Sequence, residues 1–159
     1  MAEIPVFPAF VAAPEIDERF VLPGLGIEQR LRVPGAATGG QLCLVEQLCP
    51  PGKGPPRHVH TSQTEVLRIL EGEFELEIDG APIPAPAGTV AVVPPGRPHA
   101  FVNRGTAPAR VLFLLTPAGD LAALFRRLAQ LLAEGPADAD RLNRELAPFG
   151  FAITGPPMG

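Results

Sequence analysis

The sequence predicts a mainly β fold, with short strands closing into a barrel and one or two helices packed outside it near the C-terminal end. Three observations predict it. Proline and glycine number 21 and 17 in 159 residues, and they are spread between apolar runs instead of forming one tract; that suits short strands joined by tight corners. Apolar residues alternate with polar ones from Gly26 onward, the period of a strand with one wet face. After Pro117 the period changes to that of a helix.

A chain of 159 residues is long enough for one domain with its own core. The divisions expected are an N-terminal arm over 1–24, a β-barrel over 25–116 and a helical tail over 117–159. Met1 to Pro23 is broken by prolines and reads as an arm that pairs with the barrel or with a second subunit. Gly26 to Val33 is a half-buried strand, with Ile27, Leu31 and Val33 on one face and Glu28, Arg30 and Arg32 on the other. Thr38-Gly39-Gly40 is a turn. Gln41 to Leu48 is the next strand, with Leu42, Leu44 and Leu48 on one face and Cys43, Val45, Gln47 and Cys49 on the opposite one. Pro50-Pro51-Gly52 ends it.

Glu65 to Leu70 is a strand that Gly72 breaks, and Glu73 to Ile78 resumes it. Phe74, Leu76 and Ile78 point one way there, while Glu73, Glu75 and Glu77 point the other. Asp79-Gly80 is a strong hairpin signal. A short proline-rich stretch, Ala81 to Ala87, follows. Thr89 to Val93, Ala100 to Asn103 and Arg110 to Thr116 are further strands, and closure into a barrel removes exposed edges. Asp120 can cap a helix from Leu121 to about Glu134, whose stripe is Leu121, Leu124, Phe125, Leu128, Leu131 and Leu132. Gly135-Pro136 stops it. A second helix spans Asp138 to Leu146, and Phe149 to Gly159 is a short tail capped by prolines.

Charge and composition exclude several classes. The net charge is -4 and Lys53 is the single lysine, a poor match to a polyanion. No nucleic acid and no membrane partner is expected, since no apolar run reaches spanning length. Glu3 and scattered prolines replace the basic and apolar regions of a secretion signal. Cys43 and Cys49 read as reduced thiols, and the location expected is cytoplasmic.

The three histidines of the chain, His58, His60 and His99, lie in two short stretches, 52–72 and 88–103. His58 and His60 are two apart, so a strand puts both imidazoles on one face. Straight continuation would turn Glu65 to the other face. Thr61-Ser62-Gln63-Thr64 is polar and reads as a turn or bulge that resets the phase. Glu65 then points inward with Leu67 and Ile69. His99 follows the Pro94-Pro95-Gly96 corner. Three imidazoles and one carboxylate make a ligand set for one divalent transition metal, with one or two positions left open for chemistry.

These stretches resemble the two motifs of the cupin superfamily. Gly52, His58, His60, Glu65 and Gly72 match every fixed position of the first motif. Gly88, Pro94, Gly96, His99 and Asn103 match the second. The resemblance implies a double-stranded β-helix, or jelly-roll barrel, and a homodimer is its expected assembly. The whole chain resembles the small bacterial single-domain cupins described as quercetin 2,3-dioxygenase-like, through Thr38-Gly39-Gly40, Pro50-Pro51-Gly52, Pro55-Pro56 and a two-helix tail ending in Gly155-Pro156-Pro157.

The activity implied is that of a metal-dependent dioxygenase acting on an enol, diketone or flavonol-like small molecule. Iron is the metal expected first, with Mn, Ni, Co, Cu and Zn as alternatives. His58, His60, Glu65 and His99 hold it, and Glu65 either doubles as a general base or stays a plain ligand. Arg57, Phe74, Arg97, Phe101 and Phe113 are candidate pocket residues. Two other readings use the same chain: a non-redox isomerase, lyase or hydrolase, and a small-molecule-binding protein without catalysis.

Overall fold

The computed structural model describes residues 6–14, 18–135 and 138–159. The strands are β1 Glu18–Leu22, β2 Ile27–Val33, β3 Cys43–Cys49, β4 Pro56–His60, β5 Thr64–Glu71, β6 Glu73–Ile78, β7 Ala81–Pro86, β8 Val90–Val93, β9 His99–Asn103, β10 Ala109–Thr116 and β11 Phe151–Pro157. The helices are α1 Leu121–Ala133 and α2 Ala139–Leu146. Alternation sets the strands: in β3 the Cys43, Val45, Gln47 and Cys49 face is the buried one, and in β6 it is Phe74 and Leu76.

Two antiparallel sheets result. One has the order β1-β2-β3-β10-β5-β8 and the other β11-β4-β9-β6-β7. The chain changes sheet at its corners, after His60 and again at Gly72. Gly72 has φ 87°, and a Cβ there would come within 2.5 Å of the Ala109 Cβ, so the corner admits no larger residue. Asp79 and Gly80 carry positive φ, 51° and 80°, in the β6–β7 hairpin. Gly54 lets backbone meet backbone, because a Cβ there would lie 1.7 Å from the Phe101 carbonyl oxygen.

The core joins both sheets to α1 in one cluster that includes Ile27, Val45, Leu67, Phe101, Leu115 and Leu124. The two helices follow the expected spacing, capped by Asp120 and Asp138, whose side chains accept from Ala123 N and Arg141 N. Pro136 of the expected stop lies outside the described residues, as do 1–5 and 15–17 of the expected arm.

Residues 18–22 of the expected arm form β1, paired with β2, so this part of the arm joins a sheet of the barrel. Two segments differ from the sequence reading. The proline-rich stretch forms edge strand β7, with Pro82, Pro84 and Pro86 at every second position and Ala85 buried; an edge tolerates proline because one side of it needs no donor. The expected tail is strand β11, paired with β4. The Asn143 side chain ties it to α2, accepting from Ile153 N and donating to Ile153 O.

Candidate metal centre

Strand β4 presents His58 and His60 on its buried face. Thr61 and Ser62 bend the chain, and β5 restarts with Glu65, Leu67 and Ile69 inward. On β9, His99 stands directly opposite His58. The distant side chains therefore converge. His58, His60, Glu65 and His99 each offer a ligand atom, these atoms lie within 4.8 Å of one another, and all four residues are buried. Nearby, Asn103 is a staple instead of a ligand: its amide donates to the carbonyls of Cys49 and Ala107 and accepts from Gly105 N, which fixes the end of β9.

The imidazoles are held from behind. His58 donates from Nδ1 to the Pro56 carbonyl at 2.8 Å, and His99 from Nδ1 to the Arg97 carbonyl at 2.9 Å. Such a bond fixes the ring and turns Nε2 to the centre. His99 Nε2 donates to Glu65 Oε2 at 2.6 Å, and His60 Nε2 lies 3.7 Å from the same oxygen. His60 Nδ1 makes no hydrogen bond of good geometry among the described residues. Gln63 is the polar neighbour that favours its charged form, and Gln63 is itself anchored by donating to the Pro117 and Ala118 carbonyls.

Burial and charge separate the four groups. Burial, helped by His99 and His60, pulls the His58 pKa down to about 3. Burial also lowers that of His60, against the pull of Glu65. Burial works to raise the Glu65 pKa, but the His99 hydrogen bond and the histidine charges outweigh it and bring it to about 2. Burial works to lower the His99 pKa, and the hydrogen bond and charge of Glu65 reverse this and raise it. The centre thus holds a carboxylate kept ionised, two imidazoles driven toward the neutral form and a third, His99, driven toward the protonated form, whose Nε2 proton an incoming cation can displace. Convergent Nε2 atoms, an ionised carboxylate and fixed rings fit a divalent transition metal.

The cavity over these residues leaves about 50 Å³ of free space, enough for a few waters or one small molecule. Its wall includes Phe101 and Phe113, as expected. Three other expected pocket residues are not among its lining. Arg57 pairs with Glu77 at 2.5 and 2.8 Å, because β4 alternation sends it away from the histidine face. Arg97 is exposed and pairs with Asp79. Phe74 packs against Phe101 from the core side, ring centroids 5.9 Å apart.

The sequence reading missed other walls. The helices lie outside the sheets, yet Leu121, Leu124, Phe125 and Leu128 of α1 line the cavity. Phe151 of β11 stacks on His58. Gln29 and Gln47 line the cavity too; the signal was a Gln in phase with Ile27 and Leu31. A roomier groove of about 880 Å³ runs past Leu132, Leu142 and Ile153, and none of its lining residues is titratable. The chemistry therefore belongs to the smaller cavity, which the groove adjoins at Pro56 and Ile153.

The sequence profile of the cupin domain matches residues 45–115. The tetracenomycin polyketide synthase protein TcmJ of Streptomyces glaucescens is 31% identical over 81 residues, 51% of this chain and 53% of that protein. Oxidoreductase OpS7 of Beauveria bassiana is 31% identical over 83 residues, 48% of this chain and 27% of that protein. The chain thus spans about half the length of the first and about a quarter of the second. A crystal structure described as a sugar phosphate isomerase from a cupin superfamily, from Silicibacter pomeroyi, superposes with a TM-score of 0.57 at 30% identity, covering 67% of this chain and 74% of that one.

Proposed function

The chain belongs to the cupin superfamily, and on that premise we propose that it is a metal-dependent enzyme, a dioxygenase acting on a small enol or diketone. One observation carries this reading: three imidazoles and a carboxylate converge within 4.8 Å, and His58, His60 and Glu65 of that set lie in a cavity of otherwise largely apolar walls. His58, His60, Glu65 and His99 would hold one divalent transition metal, iron first. Such an ion supplies Lewis acidity and, when redox-active, a route for electrons to O2.

The protein's own residues do the rest. Phe101, Phe113 and Phe151 shield the reacting centre from water. Glu65 is the anionic acceptor in the cavity. Its basicity is held down by the His99 N–H and the neighbouring histidines and would be held down further by a bound dication, so Glu65 would take a substrate proton only on leaving the metal position. The free volume favours a compact diketone over a flavonol, since drug-sized ligands occupy roughly 300 Å³ or more.

A second reading is favoured by the polyketide synthase relative: the same residues would promote a non-oxidative proton transfer or cyclisation of a β-dicarbonyl compound. The two readings part under one experiment. The metal-loaded protein is given a small β-diketone, and O2 uptake and substrate loss are followed with and without chelator, in air and under nitrogen. Chelator-sensitive O2 uptake supports the dioxygenase. Chelator-sensitive turnover under nitrogen supports the second reading. No chelator-sensitive turnover in either atmosphere overturns both.

A further inference from the structure

We propose that Gln29 reads a hydroxyl group on the small molecule held in the histidine cavity, with Gln47 setting the direction of its amide. The inference rests on the reading of that cavity as a ligand site. Gln29 and Gln47 stand directly opposite each other on β2 and β3. They are 5% and 1% exposed. Gln29 Nε2 donates to Gln47 Oε1 at 2.9 Å, and Gln47 Nε2 donates to Cys49 Sγ at 3.1 Å. The relay ends at Gln29 Oε1, which has no partner among the described residues.

Packing alone does not account for this pair. A buried carbonyl oxygen without a donor keeps its full desolvation cost with no bond in return, and two leucines or methionines would fill the same wall without that cost. The walls shared with Gln29 are mostly apolar: Leu22, Phe113, Leu115, Leu124 and Phe125. The remaining polar groups there are Gln47 and the ligand residues His58, His60 and Glu65. Gln29 Oε1 is therefore the acceptor that a ligand donor can meet away from the ligand set. Because one Gln29 N–H is tied to Gln47 Oε1, the amide is held in one orientation and its oxygen is the atom left without a partner; an oxygen selects a donor. The ligand chemistry that satisfies both ends is a small molecule with one anionic oxygen toward the metal position and a second oxygen still carrying its proton.

The test uses the full chain loaded with Co(II), whose visible absorption reports ligand binding, and titrates catechol against phenol, which lacks the second hydroxyl. The wild type is expected to prefer catechol by about tenfold or more. In Gln29→Met, catechol affinity is expected to fall by about 10- to 100-fold, with phenol affinity and Co(II) content unchanged. Equal affinity for both probes in the wild type overturns the proposal, as does a preference that survives in Gln29→Met. Should Gln29→Met not fold, Gln47→Met leaves Gln29 in place but frees its amide, and retention of the full preference there overturns the proposal too. If the wild type binds neither probe, the ligand-site reading fails first and this inference falls with it.

Discussion

Phe151 lies nearly parallel to His58, with ring centroids 5.0 Å apart and 24° between the planes, and it meets His60 edge-on at 5.4 Å. A residue near the C-terminal end of the sequence thus forms the back wall of the centre. Phe151→Ala is expected to destabilise the fold by about 3 kcal/mol, the usual scale for a buried Phe. Loosened imidazoles should also bind metal about tenfold more weakly. Chemical denaturation and a competitive Zn(II) titration measure the two effects. An unchanged metal affinity would show that β4 holds its rings without this wall.

Both ring nitrogens of His99 face acceptors, the Arg97 carbonyl and Glu65. Its raised pKa means that the proton on Nε2 competes with a metal. The sign follows: below that pKa, apparent metal affinity should rise by roughly tenfold per pH unit, and above it the affinity should level off. Calorimetric titration of Zn(II) in buffers of different ionisation enthalpy should report about one proton released per ion near neutral pH. Affinity independent of pH between about 5 and 8 would contradict the assignment.

Arg57 and Arg97 turn away from the cavity and are satisfied by Glu77 and Asp79. Arg57→Ala and Arg97→Ala should therefore leave metal content and probe affinity unchanged, with a small shift in melting temperature for the exposed Arg97 pair and a larger one for the half-buried, two-bond Arg57 pair. A loss of probe binding in either variant would return that arginine to the site.

Burial raises the pKa of both thiols to about 11, in Cys43 and in Cys49. A raised folded-state pKa means stability fully present below the unfolded value and lost as pH climbs through the folded one. Alkaline unfolding should therefore steepen from about pH 9 toward 11, by roughly 2 kcal/mol per thiol. Cys43→Ala with Cys49→Ala should flatten that limb. The native thiols should also resist alkylation at pH 8. Six residues apart on one strand puts them about 20 Å from each other, too far for a disulfide; both are free.

The ligand set was legible because its cues are local. The His-x-His spacing, the polar turn that resets the phase and the Pro-Pro-Gly corner each act over a few residues. The cavity walls were not legible, because they depend on where distant elements land. The α1 stripe announces burial but not against what, and it lies over the histidines. Phe151 and Ile153 alternate as a strand would, yet Gly155-Pro156-Pro157 masks the pattern. Gln29 hides among charged neighbours, since Glu28, Arg30 and Arg32 make the segment look polar. Arg57 was drawn in by adjacency to His58, although alternation turns a neighbour outward, and Arg97 by lying two residues before His99, although it sits in the exposed corner ahead of β9.

The pairing of β4 with β11 also sets a schedule for biosynthesis. A ribosome exposes His58 and His60 long before it has made Phe151, so the nascent chain carries imidazoles on a strand with one naked side. A chain stopped short of Phe151 would leave that edge of β4 without its partner strand and His58 without its stacked ring.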